Sequence, residues 1–181
     1  MKNYKPLLKL ARQAIESELN NTELKVPSSI KKEFSCKKAC FVTLTYKIDG
    51  RLKGCIGSLQ ARQELWKDVT ENAKHAAFSD PRFFPLTKQE LDKIKIEISV
   101  LSEPKKLECK NEKDLLNKIN KKMGLILKKG FHSATFLPQV WEQLPDKKSF
   151  LQQLSFKAGL SSDAWKDAEF ACYYVEKVEE S

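Results

Sequence analysis

From Ala39 the chain alternates with a period of two, setting Cys40, Val42, Leu44 and Tyr46 against Phe41, Thr43 and Thr45. Such alternation of β-branched and aromatic residues specifies a strand, and Asp49-Gly50 beyond it specifies a hairpin. The returning strand has little freedom, because a one-residue slip turns every side chain to the other face. A two-residue Asp49-Gly50 loop pairs Leu44 with Cys55 and throws Leu52 and Ile56 onto the face opposite Val42, Leu44 and Tyr46. A three-residue Ile48-Asp49-Gly50 loop, with Gly50 left-handed, pairs Tyr46 with Leu52 and Val42 with Ile56. One face is then apolar throughout, so this register is expected. It places Cys55 opposite Thr43, on the side of Thr45 and Lys53 and away from the main aliphatic face.

The remaining periodicities fill in an α+β chain. Leu7, Leu8, Ala11, Ala14, Ile15 and Leu19 make an amphipathic helix over residues 4–19. Residues 22–38 read as a loop, and residues 61–78 as a helix with His75 on its polar side. Thr87 and Glu90 form a capping box for a short helix. Ile94, Ile96, Ile98 and Val100 alternate in a strand ended by Pro104. A short helix near 112–121, a hairpin over 124–136, a helix from Pro138, another from about 147 to 158, and a strand over 169–178 complete the chain. Hairpins with no regular strand–helix alternation imply a largely antiparallel sheet with flanking helices. No repeat or linker divides residues 1–181, so a single domain is expected.

Composition excludes several classes of function. Hydrophobic residues at 41% and charged residues at 31% supply a core and argue against disorder. The net charge of +9 keeps an anionic partner in view, but only four of the 33 cations are Arg, the side chain that grips phosphate bidentately. Nucleic-acid binding through the basic first third therefore ranks last among the readings. Five cysteines, an odd number with no secretory leader, point to reduced thiols in the cytoplasm. No apolar run is long enough for a membrane span. Cys36 and Cys40 have loose metal-ligand spacing, but no second pair follows, and neither a metal nor a cofactor is expected.

Gly50, Gly54 and Gly57, half of the chain's six glycines, lie within eight residues around Cys55. Gly50 belongs to the turn. Glycine inside a strand marks a bulge or a close approach, so Gly54-Cys55-Ile56-Gly57 is either a thiol site, with Lys53 favouring thiolate, or a small buried Cys whose glycines relieve crowding against a helix. The residues alone lean to packing. Asp80 and Arg82, in a proline-stiffened loop with Phe83 and Phe84, either clamp that loop or orient an anionic ligand.

Leu52-Lys53-Gly54-Cys55-Ile56-Gly57 closely resembles the hexapeptide Leu-Arg-Gly-Cys-Ile-Gly of the AMMECR-one family, called AmmeMemoRadiSam system protein A in prokaryotes. Residues 76–86 and 98–104, and then 136–141 followed by 150–151 and 157–160, resemble its further motifs in the same order; Lys53 stands where the family usually has Arg. The resemblance implies two unequal subdomains sharing an antiparallel sheet, partners among Memo-type and radical-SAM proteins, and a functional hexapeptide. It raises the weight on Cys55. One reading is enzymatic: Cys55 as nucleophile or attachment thiol, Lys53 biasing its ionisation, and Arg82 with Asp80 orienting a small anionic substrate. The other is a non-catalytic docking module presenting Gly54, Gly57 and Phe84 to a partner.

Overall fold

The computed structural model describes residues 3–181, which divide into two compact units, residues 3–101 with Glu176–Ser181 and residues Ser102–Val175. The first unit contains α1 (Lys5–Leu19), α2 (Ser28–Glu33), β1 (Cys40–Tyr46), β2 (Leu52–Gly57), α3 (Leu65–Phe78) and β3 (Ile94–Leu101). The second contains β4 (Lys105–Lys106), α4 (Glu112–Lys118), β5 (Gly124–Lys129), β6 (His132–Phe136), α5 (Val140–Gln143), α6 (Lys147–Lys157) and β7 (Glu169–Tyr173). The chain closes with β8 (Val175–Glu179).

The fold is α+β, with two four-stranded sheets in the orders β2-β1-β3-β8 and β4-β7-β5-β6. The shared sheet expected from the resemblance is thus divided. The expected single strand over 169–178 is divided for the same reason. At Tyr174 the backbone leaves the ladder: Ser102 donates its N–H to the Tyr174 carbonyl at 2.9 Å, and Tyr174 donates its own to Ser102 Oγ at 3.0 Å. The strands on either side of Tyr174 then join different sheets.

In the first unit the apolar alternation of β1 works as anticipated. Cys40, Val42 and Leu44 are fully buried, as are Ile94, Ile96 and Ile98 of β3, and they share a core with Leu7, Leu10, Ala11 and Ile15 of α1 and Leu65, Val69 and Ala73 of α3. Each large aliphatic side chain removed from water in this way contributes about 1.5–3 kcal/mol. The second unit has its own core, where Trp141 stacks on Phe150 with centroids 3.7 Å apart.

Three local expectations are corrected. Residues 22–38 are not all loop, since α2 forms within them; of its six residues none is fully buried and only Ile30 packs against the core, which leaves no periodic trace. The helix expected from residue 61 begins at Leu65, because Glu64 is extended and bridged to Lys37 while the Leu65 N–H goes to the Cys36 carbonyl. The Thr87–Glu90 capping contacts form, but over a turn that leads into a 3₁₀ turn at Leu91–Lys93.

The hairpin register pairs Val42 with Ile56 and Thr43 with Cys55, as the apolar face requires, and Gly50 takes φ +70°. Nearer the turn it departs from expectation. Leu44 pairs with Gly54 but Thr45 pairs with Leu52, so Lys53 is an extra residue in a β-bulge and Tyr46 no longer faces Leu52. The bulge leaves Lys53 buried, 5% exposed, and Leu52 36% exposed.

Candidate functional site

Strand β2 lies at the edge of its sheet, where outward N–H and C=O groups need a cover or a solvent shell. At Cys55 the cover is a pair of side chains from the segment after α3. Asp80 Oδ2 accepts the Cys55 N–H at 2.9 Å, and Arg82 Nη2 donates to the Cys55 carbonyl at 3.3 Å. The two side chains also bind each other, Arg82 Nε to Asp80 Oδ1 at 2.9 Å and Nη2 to Oδ2 at 2.7 Å, and the Arg82 N–H adds a further bond to Oδ1. Asp80 is 4% exposed, and its carboxyl is held well below the usual carboxylate range by the Arg82 guanidinium, the Cys55 N–H and the Arg82 N–H. The backbone of Cys55 is therefore gripped on both of its polar groups. Its Sγ points elsewhere, to Thr43 Oγ1 at 3.2 Å, and the residue is half-buried.

Lys53 supplies the next anchor. Turned inward by the bulge, its ammonium donates to the Phe84 carbonyl at 2.7 Å and lies 3.8 Å from Glu90 Oε1. Tyr46 Oη donates to the same Glu90 oxygen at 2.7 Å, and the Thr87 N–H and hydroxyl donate to Oε2. Burial would push the Glu90 carboxyl up; the Tyr46 and Thr87 donors, with the Lys53 charge, overcome it and bring it down to about 2. The same bond to Glu90 raises the Tyr46 phenol above its ordinary value. Residues 79–90 are thus fixed at several points, with Leu86 N–H on the Ala77 carbonyl and Phe83 N–H on that of Asp80. On this fixed backbone Phe84 projects a side chain that is 91% exposed.

Lys53, Arg82 and Phe84 line one cavity of about 600 Å³, together with Tyr46, Arg51, Leu52, Phe83, Pro85, Thr87 and Glu90. Cys55, Gly54 and Gly57 are not among its walls, though Cys55 meets it through Arg82. Each strand glycine has a packing reason. A side chain at Gly54 would run into the Ala76 carbonyl of α3, and one at Gly57 into the Cys40 carbonyl and the Phe41 ring. Of the two histidines, His75 is exposed on α3 and His132 is bonded to the Ala158 carbonyl in the second unit. Among the described residues, no three His, Cys, Asp or Glu side chains gather as metal ligands and no helix is long and apolar enough to cross a membrane.

Sequence reasoning passed over Tyr46, Arg51 and Glu90. Tyr46 looked like a core residue and Glu90 like a capping residue; both descriptions are true as far as they go. Arg51 carried a legible signal, since Asp49-Gly50-Arg51 repeats the spacing of Asp80-Pro81-Arg82. A second cavity, about 300 Å³ in the second unit, is walled by side chains already matched in charge, such as Lys106 with Glu108 and Asp167 with Lys129.

Known proteins are similar to this chain along nearly its full length. A protein of Nanoarchaeum equitans is 40% identical over 94% of this chain and 95% of its own. One of Aquifex aeolicus is 37% identical over 94% and 88% respectively. The crystal structure of an uncharacterized Pyrococcus horikoshii protein superposes with a TM-score of 0.85 at 34% identity, covering 98% of this chain and 91% of that one. A sequence model described as AMMECR1 matches residues 8–178. With a family match over almost every residue and relatives of this identity and coverage, the chain belongs to the AMMECR1 family.

Proposed function

We propose that the protein acts through a site built where β2 meets residues 79–90, with the Cys55 thiol as its reactive or attachment group and Arg82 orienting an anionic substrate. The observation that carries this reading is the double grip on the Cys55 backbone. A buried carboxylate and its bound guanidinium fix that one residue while leaving Sγ half-buried and free of the clamp. In this reading Lys53 holds the loop through the Phe84 carbonyl, in place of biasing the thiol. The setting is the cytoplasm, in a pathway with Memo-type and radical-SAM proteins.

Alkylation of the folded protein tests the thiol. Cys36 is exposed, Cys40 is fully buried, and Cys55, Cys109 and Cys172 share an intermediate burial, so they form an internal scale. Site-resolved mass spectrometry is expected to find Cys55 labelled at least about tenfold faster than Cys109 and Cys172. Equal rates for the three would remove the reading. A docking role gains support from Phe84, whose exposed ring on a fixed backbone is ready to bind without an ordering cost.

A further inference from the structure

Two Asp-x-Arg units each send an arginine to the cavity beside β2. In the hairpin turn, Asp49 accepts the Arg51 N–H on Oδ1 at 3.0 Å and Arg51 Nε on Oδ2 at 2.6 Å, and the guanidinium lies 5.7 Å from the Tyr46 ring centre. In the loop after α3, Asp80 accepts the Arg82 N–H at 3.1 Å and Nε at 2.9 Å, and that guanidinium lies 5.4 Å from the Phe83 ring centre. Asp49 holds its arginine through Nε alone, whereas Asp80 takes Nε and Nη2, the latter also donating to the Cys55 carbonyl. The ends of the forks are left over: Arg51 Nη1 and Nη2, and Arg82 Nη1, have no hydrogen-bond partner among the described residues, and the two side chains are 76% and 55% exposed. Half of the chain's four arginines therefore line one cavity of about 600 Å³ with oriented, unspent donors.

The third cation is Lys53, an ammonium with three donors of which one is spent on the Phe84 carbonyl, its side chain 6% exposed. Glu90 offsets its charge as Asp49 and Asp80 offset those of the arginines, so the cavity offers oriented donors and not a net positive charge. A carboxylate would satisfy one fork. A phosphoryl group, with three peripheral oxygens, matches the Arg51 fork, the Arg82 Nη1 donors and an ammonium better. Beside these donors stands the unused face of Phe84, which is of the kind that stacks on flat rings. The volume lies within the range of small-ligand pockets.

We infer that this cavity binds a small phosphomonoester carrying a flat ring, of the nucleoside monophosphate class, with Arg51, Arg82 and Lys53 on the phosphoryl group and Phe84 on the ring. The inference rests on the reading that places the functional site at β2 and residues 79–90, and it names the substrate class of that site.

Calorimetric titration with adenosine 5′-monophosphate, adenosine and inorganic phosphate tests it on the full chain. The monophosphate is expected to bind at least about tenfold more tightly than either fragment. Arg51→Gln and Phe84→Ala, both at exposed side chains and so expected to fold, should each weaken it by about tenfold. Phe131→Ala, an exposed ring in the second unit, should leave it unchanged. No binding at millimolar nucleotide, binding indifferent to both substitutions, or tighter binding of a short poly-glutamate peptide would overturn the inference. Nucleotide binding with slow Cys55 alkylation keeps this inference and removes the thiol reading; fast alkylation without nucleotide binding does the reverse.

Discussion

Asp80→Asn keeps the size of the side chain while removing its charge and one of its two acceptor oxygens. Asp80 serves the Cys55 N–H, the Arg82 N–H and two nitrogens of the Arg82 guanidinium, so the substitution loosens a strand edge and a loop together. The Arg82 side chain is 55% exposed, and solvent compensates part of the loss. A destabilisation of about 1–3 kcal/mol is expected by urea denaturation, below what breaking a fully buried pair costs. The pH dependence has a definite sign. Asp80 and Glu90 are both depressed in the folded state, so their stabilisation is full above their ordinary values and is lost as pH falls. For Glu90 the loss runs from about 4.5 down to about 2. Glu90→Gln should be less stable than the parent at neutral pH and should lose less across that interval, measured by denaturation at a series of pH values.

At the scale of elements, the close approach of β2 to α3 depends on the missing side chain at Gly54. Gly54→Ala would drive a methyl group into the Ala76 carbonyl, which is backbone and cannot rotate away. The two elements must separate, at a cost of about 1–3 kcal/mol or more. Gly50→Ala has open space around it and faces only the strain of φ +70°, about 1–2 kcal/mol. Thermal melts should therefore rank Gly54→Ala as the more damaging.

The same strand shows what a sequence can reveal. Its register at Val42 and Thr43 was legible because only one alignment keeps the apolar side chains on one face. The bulge at Lys53 was not legible, because alternation counts faces and cannot register a spare residue. What draws Lys53 inward is the Phe84 carbonyl and Glu90, more than thirty positions along the chain. For the site, the pairing of Asp80 with Arg82 was visible locally as one of two readings. Its grip on Cys55 was not, since nothing in the spacing of residues 55 and 80 announces contact. The division at Tyr174 was hidden too: alternation runs through the residue unbroken, and the departure is made by a serine 72 positions earlier.

Over the whole molecule, the first unit is completed by the last residues of the chain. Glu180 accepts Arg12 Nε and Nη2 from α1 and the N–H of Ile96 in β3, while Arg12 also donates to the Leu91 and Ile94 carbonyls. Both side chains are about four-fifths buried, and Glu180 raises the Arg12 pKa through its hydrogen bonds against the opposing effect of burial. Glu180→Ala leaves that guanidinium with carbonyls alone. It is expected to cost about 2–3 kcal/mol and to lower the melting temperature of the chain as much as a core truncation would, although Glu180 is the penultimate residue of the sequence.

The bonds between Ser102 and Tyr174 have a consequence for the continuity of the chain. The points at which the chain enters and leaves the second unit touch, and the strands they interrupt, β3 and β8, are sheet neighbours. A sheet of the first unit could be closed there by one short turn. In the plan of the chain, Ser102–Val175 therefore occupies a single connection between neighbouring strands, and the residues around Cys55 all belong to the unit that this connection interrupts.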